Sequence, residues 1–188
     1  MQPMAPSRFR LPALMPDELS EKQRSVYEAV KNGPRGDIPL PFRIMLHQPD
    51  ILADFQSLGI SLIHNGALSK KTTELIVLVT AKHFASEYVL DVHVAAATKA
   101  GLTQSAINAI MEGSRPSFES YGDDVIYRFC IGLLSGVGID ENDFIQIKNE
   151  HGANGIINII GLIGYYTTLS ALMKVALRDR NSIAARDR

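Results

Sequence analysis

An all-α fold is what this 188-residue sequence predicts, and three observations carry the expectation. Apolar residues recur at three- and four-residue intervals, helix-capping signals bracket the periodic segments, and no run alternates polar and apolar residues as a half-buried strand does. At this length the chain can bury one ordinary core, so a single domain over 1–188 is expected. Its divisions would be an N-terminal extension of 1–48, a core of 49–178 and a loose tail of 179–188.

The elements follow in order. Ser20-Glu21-Lys22-Gln23 has capping-box spacing, and Val26, Ala29 and Val30 continue at helical intervals, which predicts a helix over 20–31 ended by Asn32-Gly33. Proline and glycine cluster from Asn32 to Pro41, which reads as a long loop. A second helix is predicted over 50–64, with Ile51, Leu52, Phe55, Leu58, Leu62 and Ile63 as its apolar stripe. Ser69 caps a third over 70–84, apolar on nearly every side after Glu74, as a core helix is. A β-strand over Leu75–Val79 is its main rival. Further helices are predicted over 87–100, 103–112, 123–134 and 140–150. The last, 154–178, ends on Lys174, Arg178 and Arg180, cations that suit a helix C-terminus.

Within that last helix, Gly155 to Met173 carries no charge and approaches the length of a membrane span. Asn158, Thr167, Thr168 and Ser170 favour a core helix instead, and no membrane partner is expected. Gly161, Gly164 and Ala171 are small enough to admit a close neighbour, so a packing seam within or between subunits is expected. With 19 basic and 20 acidic residues the net charge is −1, which gives nucleic acid nothing to be drawn by. A single cysteine, Cys130, excludes a disulfide or a Cys-x-x-Cys pair within the chain. No apolar segment follows the first residues as in a secretory leader, so a reducing, cytoplasmic setting is expected.

Chemistry concentrates where the helices predicted over 70–84 and 87–100 meet. If they form an antiparallel hairpin turning near Ala85-Ser86, Glu74 and His93 come close enough to face each other. A carboxylate beside Leu75–Val79 loses hydration, which raises its pKa unless a cation or hydrogen bond compensates, and histidine can do both. Such a pair can move protons near neutral pH, or can merely tie the hairpin together; spacing alone leaves both open. His83, Glu87 and Asp91 stand four apart and would share a face of an unbroken helix as a metal site does, but the turn falls inside that spacing and no metal is expected. Gly33–Gly36 lacks the spacing of a phosphate cradle. Arg35 in that loop is a candidate clamp for a substrate carboxylate, or a solvated loop arginine.

The run Glu74-Leu75-Ile76-Val77-Leu78, then Ala81-Lys82-His83, Ala85-Ser86-Glu87-Tyr88, His93 and Ala100-Gly101-Leu102 resembles the core hairpin of the carboxymuconolactone decarboxylase and alkylhydroperoxidase D superfamily. Gly33-Pro34-Arg35-Gly36, Pro41-Phe42, Leu46-His47-Gln48-Pro49 and Gly161 to Tyr166 are similar to stretches of its longer members. The resemblance implies a helical bundle around a central helical hairpin, no cofactor, and assembly into a homo-oligomer. In the alkylhydroperoxidase D branch the hairpin carries Glu, Cys-x-x-Cys and His. The matching cysteine positions here are Ser86 and Val89, so the thiol peroxidase reaction has no nucleophile.

The decarboxylase branch needs only an acid to protonate the carbanion or enolate left when carbon dioxide departs. What the resemblance implies is therefore a cysteine-independent carboxy-lyase on a small carboxylated lactone or ring-cleavage product. Glu74 and His93 would be catalytic, and Ser86, Glu87 and Arg35 would bind substrate. The alternative is a non-catalytic oligomeric scaffold or small-molecule-binding protein that kept the fold.

Overall fold

The computed structural model describes residues 9–177, and these form the all-α architecture that the sequence predicts. A 3-10 turn (Pro16–Glu18) precedes α1 (Glu21–Lys31), α2 (Leu40–Met45), α3 (Pro49–Ile63) and α4 (Lys70–His83). After them come α5 (Glu87–Lys99), α6 (Gln104–Glu112), α7 (Tyr121–Ser135) and α8 (Glu141–Ala176). The one extended pairing among the described residues is an isolated antiparallel bridge between Phe9 and Leu177. The expected tail over 179–188, and Arg178 and Arg180, lie outside the described residues.

The chain divides into two compact units, Met1–Ile60 with Ala171–Arg188, and Ser61–Ser170. In the first, the capping box forms as predicted: Ser20 Oγ accepts from the Gln23 backbone N–H, and Gln23 Oε1 accepts from that of Ser20 at 3.0 Å. Gln23 Nε2 then donates to the Leu46 carbonyl, and Lys22 pairs with Asp50 at 2.6 Å, which ties α1 to the end of α2 and the first turn of α3. The loop predicted over 32–41 is shorter than expected, because Leu40 and Pro41 open α2. Proline is tolerated in a first helical turn, where its missing N–H has no partner to lose, and Pro41, Phe42 and Ile44 are buried. The predicted stripe of α3 is also corrected: Ile51 and Leu58 are exposed, and the buried positions are Leu52, Gln56, Gly59 and Leu62. A polar residue stands on the inner face there because Gln56 Oε1 accepts from Arg35 Nε at 3.3 Å.

The second unit is organised around α4. Ser69 Oγ accepts from the Thr72 N–H, and every residue from Thr72 to Ala81 is buried. The helical backbone over Lys70–His83 excludes the strand reading of 75–79, and α5, α6 and α7 pack against α4. Leu75, Ile76, Val77 and Leu78 are fully buried, each contributing about 1.5–3 kcal/mol of transfer free energy. Arg128 of α7 grips the buried Asp143 of α8 and Asp124 of its own helix. Asn158 of α8 holds the α3–α4 connection, accepting from Ala67 N–H and donating to Leu62 O. The two helices predicted over 140–150 and 154–178 are the two parts of α8, broken at Gly152, whose φ of 65° and ψ of −174° suit glycine alone.

By length and composition α8 could cross a membrane, yet its inward positions Ile159, Leu162, Tyr165 and Tyr166 are packed as in a core helix. Only 44% of its apolar window is buried, so its outward face is apolar too.

Candidate functional site

The α4–α5 hairpin is closed by a tight helix-ending turn. Ser86 N–H donates to Ala81 O and Ala85 N–H to Lys82 O, the bonding pattern of a Schellman cap, with Ala85 in the left-handed region at φ 49°. This reversal brings α5 back along α4 and places His93 against Glu74. His93 Nδ1 is 2.7 Å from Glu74 Oε2. The other carboxylate oxygen, Oε1, is 2.7 Å from Lys70 Nζ, one turn earlier on α4.

Glu74 is 1% exposed, while the side chains of His93 and Lys70 are 18% and 62% exposed. Burial pushes the Glu74 carboxyl up, but the His93 hydrogen bond and charge, with those of Lys70, outweigh it and hold the carboxyl below its ordinary range. The carboxylate is thus a fixed buried negative charge with the Lys70 ammonium on one side and the His93 imidazole on the other. A carboxylate at Nδ1 selects the tautomer that donates from Nδ1 and leaves the Nε2 lone pair free to take a proton. Tyr166 of α8 stands edge-on to the imidazole, with ring centroids 5.1 Å apart and planes at 90°, and Tyr165 packs in turn on Tyr166. These aromatic neighbours limit how the imidazole can turn.

Ser86 stands at the N-cap position just before α5 and is buried, yet its hydroxyl makes no hydrogen bond among the described residues and caps no helix N–H. An unpaired buried hydroxyl costs about 1–3 kcal/mol, so Ser86 Oγ is a donor and acceptor available to a ligand.

The Carboxymuconolactone decarboxylase family profile matches residues 49–117, a segment that contains α3, the α4–α5 hairpin and α6. Over that segment the chain is similar to the carboxymuconolactone decarboxylase family, in line with the resemblance read from the sequence. Solved structures agree on the fold. An uncharacterized peroxidase-related protein from Ralstonia eutropha JMP134, described as an alkylhydroperoxidase AhpD core, is similar at TM-score 0.71 and 17% identity, over 95% of this chain and 96% of that one. The apo debrominase Bmp8 is similar at TM-score 0.68 and 14% identity, over 94% and 95% of the two chains. A cysteine-to-alanine variant of Bmp8 in complex with 2,3,4-tribromopyrrole matches equally, over 95% and 96%. Comparison with curated proteins finds no sequence match.

The positions that resemble the peroxidase cysteines are Ser86 and Val89 in this chain, both buried. Cys130 lies on α7, fully buried, and burial pushes its thiol up to about 12. Its predicted apolar face is correct at Ile126 and Phe129, while Leu133 is partly exposed.

The remaining predicted site residues are dispersed. Glu87 is exposed in the first turn of α5, where an acidic side chain suits the helix N-terminus. The turn separates His83 on α4 from Glu87 and Asp91 on α5, so these three do not share a helix face. Arg35 belongs to the other compact unit, where it donates to Gln56 and lies over the Phe42 ring at 4.7 Å.

Two residues of the site were not anticipated. Lys70 could have been read from its spacing of four before Glu74. Tyr166, 73 residues beyond His93 in the chain, left no local signal.

Proposed function

We propose that this protein is a cysteine-independent acid–base enzyme, a carboxy-lyase acting on a small carboxylated lactone or ring-cleavage product. The observation that carries this reading is the 2.7 Å contact between His93 Nδ1 and a carboxylate that is buried and held ionised. In the proposed step the bond from the substrate carbon to its carboxyl group breaks, and carbon dioxide leaves. The electron pair stays on carbon, delocalised into the adjacent carbonyl. The protonated His93 imidazole gives its Nε2 proton to that carbon, becomes neutral, and regains a proton from solvent. Glu74 does not carry the transferred proton; it orients the ring and stabilises its charged form.

Ser86 Oγ, buried and unpaired, is the proposed orienting donor for the substrate oxygen that gains charge. Arg35 is left out of this step, since its guanidinium is engaged by Gln56 and Phe42. A thiol-dependent reaction is not proposed, because Cys130 is buried and stays protonated at neutral pH.

The test is a panel of carboxylated lactones assayed for carbon dioxide release. The wild type is expected to turn over at least one, and His93→Asn and Glu74→Gln, with unchanged helical content, to lose about 10²–10⁴-fold. No turnover across the panel would favour the non-catalytic binding protein.

A further inference from the structure

We infer that Lys70 is a positioning residue for the Glu74–His93 pair: its ammonium occupies the Oε1 side of the buried carboxylate, leaving only Oε2 to hold the imidazole. The inference rests on the acid–base reading for its catalytic consequence, but its geometry stands alone. Lys70 and Glu74 are separated by one helical turn, and their 2.7 Å contact closes one side of a carboxylate that is 1% exposed.

The neighbouring cation is otherwise committed, since Lys71 Nζ is paired with Asp123 of α7. The charged groups that act on Glu74 are thus Lys70 from its own helix and His93 from α5. Among the described residues, α6 and α7, also packed on α4, bring no further charge to it.

The consequence concerns the pair while His93 is neutral. A carboxylate buried against Leu75–Val79 with only a neutral imidazole beside it would take up a proton readily, since burial disfavours its charge. It would then have a proton of its own to donate, and the tautomer that frees Nε2 would lose its preference. Lys70 keeps Glu74 a pure acceptor throughout the cycle. The lysine is largely exposed, so its effect is screened, and its tether to the same helix keeps it in place.

The experiment is a carbon-13 NMR titration of the Glu74 side-chain carboxyl in the wild type, Lys70→Met and Lys70→Arg, with turnover measured alongside. In Lys70→Met the Glu74 titration is expected to move up by about one pH unit, the low end of what removing a neighbouring cation does. The acid limb of kcat/KM should move with it, and Lys70→Arg should restore both. An unchanged Glu74 titration in Lys70→Met, in a protein whose circular dichroism matches the wild type, overturns the inference whether or not the protein is an enzyme. A shifted titration in a protein that turns over nothing supports the positioning role and sinks the proposed lyase activity instead.

Discussion

Glu74 Oε2 and His93 Nδ1, 2.7 Å apart, join α4 to α5, and the buried carboxylate is the partner that titrates below its ordinary range. A group whose folded pKa is depressed adds stability that is fully present above its unfolded value, here 4.5, and lost as pH falls through the folded value. Glu74→Gln is therefore expected to cost about 1–3 kcal/mol at pH 6, the worth of a hydrogen bond to a charged group. The difference from wild type should shrink below pH 4.5. Urea unfolding of both proteins at pH 6 and pH 3 checks it; a difference that grows at pH 3 would contradict the assignment.

Ala85 is the residue with positive φ, other than glycine, among those described, at 49°. The turn it occupies sets the path of α5 and with it the position of His93. Left-handed conformation costs a non-glycine residue about 1–2 kcal/mol, and glycine avoids this at a smaller loss of unfolded-state restriction. Ala85→Gly is expected to stabilise the protein by about 0.5–1 kcal/mol with the helical content unchanged. A fall in Tm on this substitution would show that the turn gains more from the methyl group than its backbone loses.

The same hairpin shows what could be read in the sequence. Ser20, Ser69 and Thr103 cap helices as their spacing indicates, and the pairing of Glu74 with His93 follows once α4 and α5 reverse at Ala85. Local signals suffice for these, because caps and turns act over three or four residues. The helix α2 was hidden by Pro39 and Pro41, which read as loop but also suit a helix start. On α3 the inward position of Gln56 depends on Arg35, 21 residues away, so hydropathy alone turned the stripe toward Ile51 and Leu58. The glycines of α8 looked alike in sequence and differ in role. A Cβ at Gly161 would meet Leu62 Cδ2 at 2.5 Å, whereas one at Gly164 would meet no atom within 4 Å.

Cys130 gives a prediction about redox chemistry. Fully buried, with its thiol pushed up to about 12, it offers no thiolate at neutral pH. The native protein is expected to react with a disulfide reagent such as dithionitrobenzoate only after unfolding, and to reduce no organic hydroperoxide with a dithiol. Cys130→Ala should leave lactone turnover unchanged and cost about 1 kcal/mol through lost packing. Robust peroxide reduction abolished by Cys130→Ala would refute the absence of thiol chemistry.

Assembly is the last prediction, and it starts from the outward face of α8. Ile157 and Ile160 are 67% and 47% exposed, and Ala153, Gly164 and Thr168 continue the same exposed stripe at spacings of three and four. No charged residue interrupts it, and the freedom around Gly164 would let a second helix approach closely. Gly161, spent on Leu62 inside the fold, takes no part. A helix face this apolar is best covered by its own copy, since a two-fold interface needs only a self-complementary stripe. Light scattering on a sizing column is expected to give a multiple of 20.6 kDa for the wild type. Ile160→Arg, which places a charge in the middle of the stripe, should return the mass to the single-chain value with helical content intact. A wild-type monomer at micromolar concentration, or an assembly indifferent to Ile160→Arg, would show that this face is not where the copies meet.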